Sequence, residues 1–367
     1  MSIKEAVKNN NHFEDYFQPL LLFALLVLLS VLLSFHSEFF LTGRNLMNIL
    51  DNHMAHQLIL AVGMTFVICT GGIDLSSGAI LALSGIAAAL LLKAGTPVPL
   101  AVLTALLAAA AMGTVNGLLV TSFTINPLII TLGTASVFRG LAIIITGGTP
   151  IYGLPKGFLQ TFTGSVGIPT PILLALTTFL FALAVIRYTR WGLYTLVVGS
   201  GGEALSRLGV NVAAHKISVY ALSGFLAGMA SLIISARLNT AEATAGIGME
   251  MNAIAAVVMG GTLLSGGKGT IMGTAVACLL LSVIKNGLTM ISIRLRGIQN
   301  YSDMKRYGSV IRVRPEKLEE YKKLHAEVWP GVRRMIAECG LRNYSIYYKD
   351  GFLFSYYEYV GDDYAAD

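Results

Sequence analysis

Long apolar runs separated by short polar breaks fill the first 292 residues, and a shorter, charged pattern follows. Residues 19–35 are almost all Leu, Val, Phe and Ala, enough for one membrane crossing. Further runs cover about 54–70, 78–94, 98–122, 127–147, 168–188, 216–236, 251–264 and 270–292. This pattern predicts an all-α polytopic membrane domain with about nine spanning segments. The run at 251–264 is short for a crossing and reads as re-entrant. Small residues fill several runs, as in 105–113, and permit close helix–helix approach. Beyond residue 304 the pattern predicts a strand at 307–314, a helix at 315–339 and strands at 342–348 and 352–360, hinged at Lys349-Asp350-Gly351. That order is the first part of a ferredoxin-like α+β fold.

Composition sharpens the division. The chain is 54% hydrophobic and only 13% charged, against about 25% charged for a soluble domain. Residues 304–367 nevertheless hold 21 of the 46 charges. The expected organisation is a membrane domain at 1–292, a junction at 293–303 and a tail at 304–367. Basic loops account for the net charge of +6, so no nucleic-acid partner is expected. Cys69, Cys278 and Cys339 lie far apart without CxxC spacing, which argues against disulfides and metal. His36, His53 and His56 lack metal spacing and read as solvated or interfacial.

Lys4 and Lys8 precede the first run, and Arg187, Arg190, Arg207 and Lys216 follow the sixth. Both placements put the N-terminus in the cytoplasm. The first run lacks a cleavage motif and reads as a retained helix. Counting on, the ninth segment ends on the far side, yet Arg294, Arg296, Lys305 and Arg306 follow it. Either one segment does not span or a tenth helix is missing.

The candidate chemistry centres on Gly71-Gly72-Ile73-Asp74-Leu75-Ser76-Ser77-Gly78. It places a carboxylate and two hydroxyls where the chain is otherwise apolar. Such a group at membrane depth costs several kcal/mol unless it is partnered or faces a cavity. Two readings stand open: a broken helix lining a translocation pathway, or a polar loop capping the next helix. The loop 189–216 reads either as an ordinary connection or as carrying a short helix, 202–209, with Glu203 in its first turn and Gly209 as its stop. Glu250 and Asn252 either line the far opening of a pathway or cap a helix. Asn116, Asn126 and Asn286 read as helix-terminating or interhelical residues. Leu264-Ser-Gly-Gly-Lys-Gly-Thr270 lacks the spacing of a phosphate loop and reads as a tight turn.

These stretches resemble the permeases of ribose-, rhamnose- and autoinducer-2-type ABC transporters. The resemblance covers about residues 15–292, through 71–78, Asn126-Pro-Leu-Ile-Ile-Thr-Leu-Gly-Thr134, Arg139-Gly140, Thr146-Gly147 and the motif Ile254-Ala-Ala…Gly260-Gly-Thr…Gly266-Gly. It implies a permease subunit of a bacterial inner-membrane sugar importer, working by alternating access. The partners implied are two ATP-binding cassette subunits, a second permease subunit and a periplasmic sugar-binding protein. ATP would be used by the partners, and no cofactor is bound by this chain. Asp74, Ser76 and Ser77 then belong to the pathway or its gate. Glu203 and Arg207 belong to the ATPase-coupling loop, where Gly202-Glu-Ala-Leu-Ser-Arg207 matches the family's run only in part. The family also continues with one helix more than this pattern supplies.

The tail resembles L-rhamnose mutarotase through the run starting Met304-Lys-Arg-Tyr-Gly, and through Tyr321-Lys-Lys-Leu-His325, Val328-Trp-Pro330 and Asn343-Tyr-Ser-Ile346. This resemblance implies His325 as proton donor and Tyr321 and Tyr344 as sugar-binding residues. Tyr321 and His325 share a helix face at i and i+4. The tail lacks the family's later Trp-Trp pair, since only Trp191 and Trp329 exist. The junction reads as two adjacent genes joined. The tail makes rhamnose or a related sugar the expected cargo of the importer, and alongside the importer stand a membrane-tethered mutarotase and an ATP-independent sugar transporter.

Overall fold

The computed structural model describes residues 12–301, 305–326, 335–336, 339 and 341–359. The N-terminal stretch with Lys4 and Lys8, Met304, and the middle of the expected helix 315–339 with Trp329 lie outside the described residues. The chain divides into two compact units, Met1–Leu288 and Thr289–Asp367.

The first unit is helical. In order come α1 (His12–His36), α2 (Gly43–Cys69), α3 (Ser77–Lys93), α4 (Val98–Ser122), α5 (Pro127–Thr146), α6 (Lys156–Thr163), α7 (Thr170–Tyr188), α8 (Arg190–Arg207), α9 (Val212–Leu238), α10 (Met249–Met259) and α11 (Ile271–Tyr301), which begins in this unit and runs past its last residue, Leu288. Among the described residues seven helices are long and apolar enough to cross a membrane, and α3 and α10 are shorter apolar helices. The expected nine segments are therefore present in order, but not all as full crossings. With 11 residues, α10 reaches only about 16 Å, short of a ~30 Å hydrocarbon core.

The second helix begins earlier than the apolar run indicates. Thr42 caps it through Asn45 N–H at 3.3 Å, and a π-helical stretch, Ile49–Met54, carries it into the apolar part. The expected polar connection 36–53 is thus mostly helix. Hydrophobic periodicity missed it because Asp51, Asn52 and His53 sit in the π stretch.

At the centre, α4 and α9 cross closely on small residues. A Cβ on Gly113 would strike the Tyr220 carbonyl, and one on Gly117 would come within 2.7 Å of the Ile217 Cα. Ala105, Ala109, Gly113 and Gly117, spaced at i+4, present this flat face. Asn45 and Asn286 join α2 to α11 by two hydrogen bonds, at 3.0 and 3.1 Å. Asn126 caps α5 through Leu128 N–H at 3.0 Å. Two-residue strands β1 (Ile151–Tyr152) and β4 (Thr240–Ala241) pair antiparallel, as do β2 (Ser165–Val166) and β3 (Ile168–Pro169).

The second unit has β5 (Lys305–Arg312), a 3-10 turn at Pro315–Lys317, α12 (Leu318–Ala326), β6 (Leu341–Lys349) and β7 (Phe352–Tyr359). The antiparallel sheet has the order β5–β7–β6. This is the partial ferredoxin-like arrangement that the pattern implied. Asp350 and Gly351 both have positive φ, 50° and 84°, as a two-residue type I′ hairpin requires. The expected helix start at 315 moves to Leu318, because Pro315 opens a 3-10 turn.

Candidate functional site

The site is built where α2 breaks into α3. The break begins as a Schellman turn: Gly72 N–H reaches the Val67 carbonyl at 3.2 Å, and Gly71 N–H reaches Ile68 at 2.8 Å. Gly71 carries the left-handed φ of 76°. At Gly72 a Cβ would sit 2.5 Å from the Tyr220 hydroxyl, so the backbone there lies directly on α9.

Asp74, Ser76 and Ser77 are all buried, Asp74 at 0% exposure. The Asp74 carboxylate accepts from Ser76 N–H at 2.9 Å, Ser76 Oγ at 2.6 Å and Ser223 Oγ at 3.2 Å. Asn116 donates to Ser76 Oγ at 2.5 Å. Ser77 Oγ donates at 3.5 Å to the Asp74 carbonyl. On the next helix, Thr131 Oγ1 accepts from Leu75 N–H at 3.1 Å and donates to the Ile73 carbonyl at 3.0 Å. The carboxylate thus ties the break to α9 directly and to α4 through Ser76, and Thr131 ties the backbone of the break to α5. The hub is not saturated, since Asn116 Oδ1 and Tyr220 OH are buried with no hydrogen-bond partner among the described residues. The helix is broken here as expected, but the capping expectation fails: Ser76 stands at the N-cap position of α3 and makes no side-chain cap bond.

A second break lies opposite. After α10, Gly261 takes φ 95° and donates to Val258 at 3.0 Å, and Thr262 N–H reaches Val257 at 3.2 Å. This is the same Schellman geometry. The two breaks share one pattern, G-G-x-x-L-S-x-G, at 71–78 and at 260–267. Sequence reasoning missed this repeat, although its signal lies in those eight-residue stretches. The two meet through Gly267 N–H and the Cys69 carbonyl at 3.0 Å.

Helix α8 completes the junction. It is interrupted at Gly201, whose extended backbone separates a final turn ending at Arg207. Gly209 closes that turn with φ 81°, as expected of the stop. A Cβ on Gly199 would strike the Cys69 carbonyl and the Gly267 amide. Three backbones therefore meet without side chains between them. Glu203 and Arg207 form an exposed pair at 3.8 Å, with 92% and 83% of their side chains accessible.

Two further polar pairings, Asp51 with Arg237 and Arg139 with Glu250, escaped the sequence reading. Asp51 and Arg237 pair at 3.3 Å, and Arg237 also donates to the Asp51 carbonyl at 2.6 Å. Nearby, His56 is not solvated as expected: its Nδ1 is buried with no partner among the described residues. Arg139 and Glu250 line a cavity of about 400 Å³ beside Leu75 and Ala79. Glu250 also accepts from Gly248 N–H at 3.1 Å, so it caps α10 as one of its two readings held.

In the second unit, Tyr344 stands on β6, 45% exposed, with its ring 5.7 Å from that of Tyr357. Burial and the neighbouring Tyr344 phenol push the Tyr321 phenol above its usual range. His325 lies on α12 one turn after Tyr321. Its side chain lies outside the described residues.

A bundle of apolar helices with paired internal breaks defines a multi-pass membrane protein of the transport class. The chain belongs to the family described as the permease component of branched-chain amino acid transport systems, whose model matches residues 45–312. Residues 306–367 match the model of L-rhamnose mutarotase. The chain is similar to the ribose import permease protein RbsC of Bacillus subtilis, 39% identical over 285 residues. It is also similar to the RbsC of Escherichia coli K12, 41% identical over 292 residues. Each of these alignments covers 77% of this chain and 88% of the relative. The D-allose transport system permease protein AlsC of E. coli K12 is 36% identical, over 74% of this chain and 84% of its own length. No solved structure matches.

Proposed function

We propose that residues 1–292 act as the permease subunit of an ATP-driven monosaccharide importer. The observation that carries this reading is the three-backbone junction of Cys69, Gly267 and Gly199. Helix α8 presents an exposed charged turn, Glu203 to Arg207, at one end. At Gly199 it bears on both helix breaks. A push on the exposed turn is transmitted by rigid backbone contact, with no soft side chain between to absorb it. The first break carries Asp74, whose hub links four helices, so its displacement moves α3, α4, α5 and α9 together. This is alternating access driven from the α8 side. Asp74, Ser76 and Ser77 serve as a gate hinge, and ATPase subunits dock at Glu203 and Arg207. A second permease subunit and a sugar-binding protein complete the assembly in a bacterial inner membrane, with the N-terminus cytoplasmic. The relatives' names point to ribose, allose and related sugars, and the mutarotase-like tail adds L-rhamnose.

The test is uptake of labelled D-ribose and L-rhamnose into vesicles bearing the assembled transporter. We expect uptake that stops when the partner ATPases are inactivated. Persistent uptake would instead mean an ATP-independent transporter. Unchanged uptake by Asp74→Ala would remove the hinge.

A second reading concerns residues 306–367. The β5–β7–β6 sheet and the proximity of Tyr321 to Tyr344 favour a site for L-rhamnose anomer interconversion, with His325 moving the proton. NMR exchange between rhamnose anomers tests it. A rate no higher than that of His325→Ala would exclude catalysis.

A further inference from the structure

We propose that the cavity between α5 and α10 is a transit site for a neutral polyhydroxylated ligand, held between Arg139 and Glu250. The inference rests on the importer reading and names where its cargo pauses. The cavity holds about 400 Å³, within the range of about 300–1,000 Å³ usual for small-molecule sites. Its apolar lining includes Leu75, Leu132 and Met251, and its polar groups are Ser136, Arg139 and Glu250.

Arg139 carries five N–H donors. Two are aimed at the carbonyls of Ala243 and Ala245, at 2.5 and 2.7 Å. These bonds hold the segment between β4 and α10 against α5. Among the described residues the other three donors have no hydrogen-bond partner. Glu250 is half-satisfied in the same way: Oε1 accepts from Gly248, while Oε2 is buried with none. Gly78 is the reason the carboxylate fits, because a Cβ there would overlap Glu250 Oε2. The first turn of α3 and the first turn of α10 therefore converge at this carboxylate.

A donor-rich cation and an acceptor-only anion lining one cavity select their ligand by charge. An anion is repelled by Glu250 and a cation by Arg139. A vicinal diol satisfies both groups, accepting from the guanidinium and donating to the carboxylate. The C–H faces of a sugar ring suit the walls formed by Leu75, Leu132 and Met251. A zwitterionic amino acid also presents both charges, and the family description names branched-chain amino acids. The sugar permeases among the relatives decide for the polyol.

The experiment uses the full chain in membranes, with Cys339→Ser as background and Ser136→Cys as reporter. The remaining cysteines, Cys69 and Cys278, are buried. Maleimide labelling of residue 136 is timed with D-ribose, D-allose or L-leucine present. We expect the sugars, and not leucine, to slow labelling. Glu250→Gln keeps the size of the side chain and should raise the half-protecting sugar concentration about tenfold or more. Arg139→Gln should do the same; if it fails to fold because the β4–α10 segment is released, Glu250→Gln alone decides. Leu132→Trp, which fills the cavity, should abolish protection. Protection by leucine instead of sugar, or none by any probe, overturns the proposal. Sugar uptake without protection leaves the importer reading standing and removes this site. Protection without uptake keeps the site and removes the importer.

Discussion

The two helix breaks carry the same eight-residue pattern and end their helices by a Schellman turn, one residue further along the pattern in the second break, and they differ at three positions, 73/262, 74/263 and 77/266, of which one exchanges a charge for an apolar side chain. Asp74 in the first corresponds to Leu263 in the second. Asp74 is fully buried at the centre of a hydrogen-bonded hub, whereas Leu263 is 51% exposed. One break is therefore anchored by polar chemistry to three neighbouring helices, and the other is held by backbone contact at Gly266 and Gly267. The shared glycines specify where a helix stops. The side chain at the fourth position specifies what the stop is tied to.

The comparison can be broken most forcefully at its polar end. Asp74→Leu leaves Ser76 N–H, Ser76 Oγ and Ser223 Oγ without their acceptor, a cost of about 2–4 kcal/mol. We expect a lower unfolding temperature in detergent and sugar uptake reduced at least about tenfold. Asp74→Asn keeps an acceptor oxygen and should recover much of the stability. Equal loss in both variants would mean that charge, not hydrogen bonding, matters.

Next in size is the junction. Gly199→Ala places a methyl group on the Cys69 carbonyl and Gly267 amide, an overpacking of about 1–3 kcal/mol. The expected signature is ATP hydrolysis that continues while uptake falls, read in the same vesicles. Proportional loss of both would argue that α8 is only a scaffold.

Two substitutions should have small effects on stability. Leu263→Asp adds a charge at a position 51% exposed and should lower stability less than Asp74→Leu does. A thermal shift as large as that of Asp74→Leu would show the two breaks to be equivalent after all. Arg207→Glu removes an exposed i,i+4 pair with Glu203 and should leave the unfolding temperature unmoved. Its expected effect is on ATPase docking, measured by co-purification of the ATPase with the membrane chain. Undiminished co-purification would take Arg207 out of the docking surface.

Much of the architecture was legible because its causes are local. Apolar runs of about twenty residues imply membrane helices whatever surrounds them. Gly209 as a helix stop and Asp350-Gly351 as a type I′ turn follow from allowed backbone angles. Asp74 was visible because a carboxylate amid apolar residues needs a reason. What it pairs with was not. Ser223 is 149 residues away and Asn116 reaches Asp74 only through Ser76. The Asp51–Arg237 pair and the Arg139–Glu250 cavity were invisible for the same reason, since their members lie more than 100 residues apart. The π-helical start of α2 escaped because its polar residues disguise a helix held by backbone bonds and the Thr42 cap.

By itself, then, the chain's order of apolar and polar residues determined a membrane bundle followed by a small α+β unit, the places where helices break, and a family resemblance. Those features depend on spacing, hydropathy and backbone stereochemistry, which act over a few residues. Only the tertiary structure decided that Asp74 is buried and shared, that Gly199, Cys69 and Gly267 touch, and that Arg139 faces a cavity with Glu250. Each of these depends on helix crossings, and a crossing is set by how small residues such as Gly113 and Gly224 let distant segments approach.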